Sequence, residues 1–462
     1  MRLHQIFSAK KIIGLATLSA LVGLGACNKE IKEQEVANGD KVTSLTAVKS
    51  KLNIILFLGD DIGYEVPSYT GGKSYSTPNM DFLAANGCFF KHAYSHPDGY
   101  PSRLALFTGK YNFRNYTYWG HFPPGEKSFS NMLTDAGYTS CYVGRWVMGG
   151  GDKGIKAQGY SSYSCFQANN GDDKSVGRYK NPVIFQDGAF LPNSVTKGKY
   201  SEDFFSDYLC NFIDSNKNKP FYATYAFNEA AAPYVPTPDD PEFTSWNTTN
   251  EARHDDVKYY PSMINYMDKM IGKVLAKLRA DGLEQNTVIM WIADNATQQR
   301  ITSIWGPNNV AISGQKTEPN IWGTLDPLIA YCPGLISPKV DDKTLIDYTD
   351  FLPTMADVAG IKKPTTYGTL DGTSFFDNLV GKKGQDRDWV FCHWDGTIND
   401  KTPRVRFVNN INYKLYDTLN YSQFYNILKD TFEMAPIADS KLTPMEIKTK
   451  AQFIKVLQKE HI

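Results

Sequence analysis

The chain has 462 residues, 42% of them hydrophobic, which is enough to bury a large core and excludes a disordered or fibrous protein. Its 49 basic residues balance 49 acidic ones and no run of Lys and Arg forms a basic stripe, so no nucleic-acid partner is expected. A length of this order predicts two or three domains.

At the N-terminus, Arg2, Lys10 and Lys11 precede an apolar run from Ile12 to Ala26 that is too short for a membrane-spanning helix, which predicts a signal peptide over residues 1–26. Leu24-Gly25-Ala26-Cys27 resembles the bacterial lipoprotein box. That implies cleavage before Cys27, acylation of Cys27, and a protein held by lipid to the bacterial cell envelope, in the periplasm or at the outer-membrane surface. An ordinary signal peptide that happens to hold a cysteine is the other reading. The polar, Lys- and Glu-rich stretch that completes residues 27–50 predicts a flexible tether. The other six cysteines form no Cys-x-x-Cys pair, and Cys88, Cys141, Cys210 and Cys332 sit in or beside apolar segments, where buried free thiols are expected.

Asn53 to Leu58 is an apolar run rich in β-formers and predicts a strand buried on both faces, with Asp60-Asp61 at its C-terminal end. Thr77-Pro78 opens a helix that Gly87 stops. Helices follow over Phe129–Ala136, Asp203–Ile213 and Val257–Ala280, alternating with strands over Thr139–Val143, Phe221–Phe227 and Thr287–Ala293, the last ending in Asp294-Asn295. A strand at Leu328–Tyr331 and a helix at Asp350–Ala359 complete an α/β domain over residues 51–385. Residues 386–462 read as a smaller α+β domain, with strands between Phe407 and Tyr416 and around Phe424–Leu428, and a terminal helix over Pro444–Lys459. Repeated strand–helix units predict a large, mainly parallel sheet flanked by helices, whose ligands gather outside the carboxyl ends of the strands. Both acidic pairs lie at such ends. Asp60, Asp61, Asp294 and Asn295 would then form an oxygen-rich cluster suited to a hard divalent cation rather than zinc, although each Asp after a strand also serves as a turn or cap former.

Ser95-His96-Pro97-Asp98-Gly99-Tyr100-Pro101-Ser102-Arg103, running on to Thr108-Gly109, resembles the active-site signature of the sulfatase family, within the alkaline-phosphatase superfamily. Leu58-Gly59-Asp60-Asp61, Ile292-Ala293-Asp294-Asn295, Gly314-Gln315-Lys316, Asp350-Phe351-Leu352-Pro353-Thr354 and Leu370-Asp371-Gly372 are similar to further family segments in the same order, and Tyr111 to Tyr116 to those of one subgroup. The resemblance implies calcium, or magnesium, held by Asp60, Asp61, Asp294 and Asn295. It implies that Arg103 braces the turn of the nucleophile, and that Lys316 contacts a sulfate. The family's nucleophile is a formylglycine made from Cys or Ser; that place holds Gly99, which has no side chain to oxidise, so no formylglycine is expected. Two other places depart as well. Gly144-Arg145-Trp146-Val147 keeps a cation in Arg145 but puts Val147 where the family has His or Gln, and Ala231 stands in a family histidine place.

Losing the nucleophile and two polar or proton-handling side chains removes covalent catalysis and acid–base help usually worth about 10²–10⁴ in rate. The expectation is therefore a sulfatase-type lipoprotein that binds a sulfated or otherwise anionic saccharide without formylglycine-dependent hydrolysis. Two readings stay open beside it: a sulfuric- or phosphoric-ester hydrolase using a metal-bound water in the space left at Gly99, with Asp98 beside it, and a structural lipoprotein of a glycan-utilisation assembly. Among the histidines, His96 precedes the signature with a structural, hydrogen-bonded role expected, and His121 and His393 have no partner legible in the sequence.

Overall fold

A computed structural model describes residues 51–115, 120–169, 177–246, 251, 255–394, 405–418 and 421–460. The expected signal peptide, Cys27, the tether and Tyr116 lie outside them. In chain order the strands are β1 (Asn53–Gly59), β2 (Cys88–Tyr94), β3 (Thr139–Arg145), β4 (Ser162–Phe166), β5 (Phe185–Gln186), β6 (Ala189–Phe190), β7 (Phe221–Ala226), β8 (Thr287–Ala293), β9 (Thr302–Trp305), β10 (Val310–Ser313), β11 (Leu325–Tyr331), β12 (Lys339–Asp347), β13 (Val390–Trp394), β14 (Val405–Asn409), β15 (Tyr413–Tyr416) and β16 (Phe424–Asn426).

The large sheet runs β12-β2-β11-β8-β1-β7-β3-β4-β5-β6. At its centre β1 pairs in parallel with β7 and β8. The apolar run of β1 is continuous because both sheet faces are covered: Ile55 and Phe57 enter one core, and Ile54, Leu56 and Leu58 enter the other. The helices Pro78–Asn86, Ser201–Asn216 and Tyr260–Ala280 cover the first face through Leu83, Leu209 and Ile271; Gly99–Thr108, Phe129–Asp135 and Phe351–Val358 cover the second through Leu104, Leu133 and Leu352. β13 to β16 form a separate antiparallel sheet, on which the Pro444–Lys459 helix packs Phe453 and Leu457. A capping box between Thr443 and Glu446 starts that helix.

The predicted α/β class with a smaller C-terminal α+β layer is the fold observed. The structure corrects several details. β11 runs antiparallel between β8 and β2, so the sheet is mixed. β2 and β12 were not legible, because Lys91-His92 interrupts one and the first half of the other is charged and open to solvent. The stretch expected as strand from Phe407 to Tyr416 is a hairpin of β14 and β15. The helix expected from Val257 begins at Tyr260, after a 3-10 turn, because Pro261 fits its first turn. Among the described residues none of the six cysteines is in a disulfide; five of them are buried and Cys210 is half-buried. Among the described residues, no helix is long and apolar enough to cross a membrane.

Candidate metal and anion site

Gly59 and Ala293 are register partners on adjacent parallel strands, so Asp60-Asp61 and Asp294-Asn295 leave the sheet side by side at its carboxyl edge. One carboxylate oxygen each from Asp60, Asp61 and Asp294 lies within 4.8 Å of the others, and all three residues are buried. The Asp61 backbone N–H donates to Asp294 Oδ1 at 3.2 Å, Asn295 Nδ2 to Asp61 Oδ1 at 2.8 Å, and Gln298 Nε2 to Asp61 Oδ2 at 2.9 Å. Asp60 Oδ1 and Asn295 Oδ1 are buried acceptors without a hydrogen-bond partner among the described residues. Oxygen acceptors with nothing to accept from are costly, and a hard divalent cation is the group that would satisfy them. The residues present therefore fit such an ion.

Four cations meet these carboxylates. Arg103 Nε donates to Asp294 Oδ2 at 2.9 Å and its Nη1 to the Arg145 carbonyl at 3.2 Å. Arg145 pairs with Asp60 Oδ2 and donates through Nε to Gln167 Oε1 at 3.0 Å. Arg178 Nη2 reaches the same Asp60 oxygen at 2.9 Å, and Lys316 Nζ pairs with Asp61 Oδ1. Burial alone would raise the Asp60 carboxyl, but Arg145 and Arg178 outweigh it and hold the group well below the usual carboxylate range. Burial pushes the Asp294 carboxyl up against the pull of Arg103. Burial would also discharge Lys316; Asp61 and Asp98 reverse this and keep it charged.

Between these groups opens a cavity of about 190 Å³ that Asp60, Gly99, Arg103, Arg145, Asp294 and Lys316 line. Gly99 is the first residue of the Gly99–Thr108 helix, so the positive end of a ten-residue helix also faces the cavity. A Cβ on Gly99 would fall on Asp294 Oδ2 and lie 2.8 Å from Asn295 Oδ1. Four non-glycine residues around the site hold left-handed backbone, Asp61 (φ 63°), Val147 (φ 52°), Gln167 (φ 56°) and Thr317 (φ 71°), and for the β-branched Val147 and Thr317 this is a strained conformation. Such strain persists only where the surrounding structure imposes it.

The structure thus brings Asp60, Asp61, Gly99, Arg103, Arg145, Asp294, Asn295 and Lys316 together, as the sequence predicts. Val147 and His121 also line the cavity, and so does Asp98, next to Gly99. Ala231 is buried beside the Arg178 segment, and its carbonyl accepts from the Tyr179 hydroxyl. His96 is buried, kept neutral by burial and outside the cavity lining, as a structural role implies, with its backbone N–H donating to Ser102 Oγ at 3.0 Å; only its ring departs from expectation, neither nitrogen being hydrogen-bonded among the described residues. Arg178, Gln167 and Gln298 were missed. Gln298 sits three residues past Asn295 and was reachable by asking what else follows β8; Arg178 and Gln167 arrive on loops with no periodic signal. The late segment around Asp371 is structural, its carboxylate accepting from the Tyr111 N–H at 2.9 Å and from Arg114 Nε at 3.0 Å.

The carboxyl edge of a mixed α/β sheet thus carries a carboxylate cluster that could hold a divalent cation, with Arg and Lys side chains converging on it. The sulfatase family model matches residues 52–361, and a model described as N-sulphoglucosamine sulphohydrolase, C-terminal, matches residues 324–459. The chain belongs to the sulfatase family. It is 25% identical to a sulfatase of Formosa agariphila over 83% of this chain and 82% of that protein, and 26% identical to the N-acetylgalactosamine-6-sulfatase of Mus musculus over 74% and 69%. The solved structure of Ps i-CgsB in complex with k-i-k-neocarrahexaose superimposes with a TM-score of 0.72 at 22% identity, covering 89% of this chain and 92% of that one. The structure of BT4656 with its substrate D-glucosamine-2-N,6-O-disulfate gives 0.69 at 19% identity, covering 89% and 97%.

Proposed function

We propose that this chain binds the sulfate group of a sulfated saccharide at the Gly99 cavity and does not hydrolyse it by formylglycine chemistry. The observation that carries this reading is Gly99 itself, which sits where the helix end, Arg145, Lys316 and the carboxylate cluster converge and offers no atom to form a bond with the ligand. Arg145 offers a planar fork of donors and Lys316 a point charge, a pairing suited to a tetrahedral oxyanion. Asp60, Asp61, Asp294 and Asn295 would hold calcium, which when bound adds positive charge at the inner end of the cavity. Val147, apolar at the cavity wall, and Ala231 hold no proton to exchange. A saccharide as the ligand is supported by two solved neighbours, one in complex with k-i-k-neocarrahexaose and the other with D-glucosamine-2-N,6-O-disulfate. As part of the same proposal, acylated Cys27 anchors the protein at the bacterial cell envelope, which metabolic labelling with an alkyne fatty acid, lost in Cys27→Ala, would test.

The deciding experiment sets the full chain against a panel of sulfated saccharides and sulfate and phosphate esters, measuring both binding and release of inorganic sulfate or phosphate. Binding without release supports the proposal. Release that Asp294→Ala abolishes would replace it with the hydrolase reading, and a chain that neither binds nor releases would leave the structural lipoprotein.

A further inference from the structure

Arg178 is a guanidinium with no freedom to leave its carboxylate. Its side chain is 4% exposed, with Nη2 donating to Asp60 Oδ2 at 2.9 Å and to the Asn228 carbonyl at 2.8 Å, and Nη1 donating to the Ala232 carbonyl at 2.9 Å. The backbone is pinned as firmly. The N–H groups of Arg178, Tyr179 and Lys180 each donate to the buried Glu251 carboxylate at 3.0 Å, and the Tyr179 hydroxyl donates to Asn228 and Ala231 carbonyls. Arg145 pairs with the same Asp60 oxygen, but it is 18% exposed and lines the cavity. Arg178 does not line the cavity, and the carboxylate it ion-pairs is Asp60.

Two guanidinium groups on Oδ2 leave Oδ1 as the Asp60 oxygen open to a metal ion. A divalent cation placed on Oδ1 sits close to both positive groups in a region that water does not screen, and that repulsion opposes its binding. The four cations, Arg103, Arg145, Arg178 and Lys316, already outnumber the three carboxylates they contact. We propose that Arg178 is a built-in counter-cation that competes with the divalent metal for Asp60, weakening metal binding while keeping the cluster folded without metal. The consequence is a carboxylate cluster that has side-chain cations as partners in both metal states. The inference rests on the proposed function only in taking the Asp60 cluster as the metal site.

Calcium affinity is measured by competition with a chromophoric chelator on the full chain, with no saccharide present. Arg178→Met is expected to bind calcium roughly tenfold tighter or more than the wild type, the scale on which one buried neighbouring charge moves such an equilibrium. Arg178→Lys keeps the charge and stays near the wild-type affinity. The wild-type melting temperature is expected to be unmoved by EDTA, whereas Arg178→Met melts lower in EDTA and recovers with calcium. Calcium binding by folded Arg178→Met that is equal to or weaker than wild type overturns the proposal, and so does a wild-type protein that loses stability on chelation. The wild-type chelation result decides the matter if Arg178→Met does not fold at all. Failure of saccharide binding would sink the proposed function and leave this inference standing, since neither readout involves saccharide.

Discussion

Gly99 and Asp294 are fitted so closely that a Cβ on the first would occupy the place of the carboxylate oxygen of the second. Arg103 holds that oxygen at 2.9 Å, so it cannot yield without breaking a buried ion pair. Gly99→Cys is therefore expected to lower stability by about 1–3 kcal/mol, the usual cost of overpacking a filled site, as read by urea unfolding. A variant as stable as the wild type would show that the carboxylate swings aside freely.

Arg103, Arg145 and Lys316 reach both the carboxylates and the cavity, and of the three Arg145 and Lys316 keep part of the side chain exposed, 18% and 22% against 1% for Arg103. Replacing Arg145 or Lys316 by Ala removes a charge-assisted hydrogen bond to the bound anion, worth about 1.5–3 kcal/mol, or roughly 10- to 150-fold in Kd. Isothermal titration with a sulfated oligosaccharide checks this; a loss under about twofold in both variants would place the ligand elsewhere.

Val147 offers a gain rather than a loss. Its φ of 52° suits Asn far better than a β-branched residue, so Val147→Asn is expected to raise stability by about 1 kcal/mol. A lower melting temperature would mean that the packing of the valine at the cavity wall outweighs its strain.

Behind the site, Glu202 and Glu229 are fully buried, accepting from the Tyr225 and Tyr200 hydroxyls at 2.6 Å each. Burial raises both carboxyls, and repulsion from Glu202 raises Glu229 further. The folded chain then keeps protons that the unfolded chain releases above the ordinary value of 4.5, so stability falls as pH rises from there toward the raised folded values. Asp60, whose carboxyl is held down, acts only below the ordinary aspartate value of 3.8, whereas His96, which burial holds below the ordinary 6.5, works in the opposite direction between that value and its lowered one. Melting is expected at a higher temperature near pH 5 than near pH 8, with the slope reduced in Glu202→Gln. A slope of the opposite sign would contradict the assignment.

The carboxylate cluster was legible because β1 and β8 are uninterrupted apolar runs, and an acidic pair directly after each emerges at one edge of a doubly covered sheet. Gly99, Arg103 and Lys316 were legible through motif order. Arg178 was not, since nothing in the local pattern of Gly177-Arg178-Tyr179 tells that this loop turns inward; the partner that fixes it, Glu251, is 73 positions away. β2 and β12 were hidden for a related reason, that their pairing with β11 and with each other decides their conformation more than their own composition does.

The two central strands that deliver Asp60, Asp61, Asp294 and Asn295 are locked in register and covered on both sides, so their four side chains behave as one rigid fixture. Position 99, Arg145, Arg178 and Lys316 all come from outside that pair of strands. Evolution can therefore rewrite the chemistry from the periphery, exchanging a reacting group for a hydrogen atom or adding a counter-charge on a loop, while the fixture is inherited unaltered. A catalyst and a receptor built on this frame need differ only in what is brought to it.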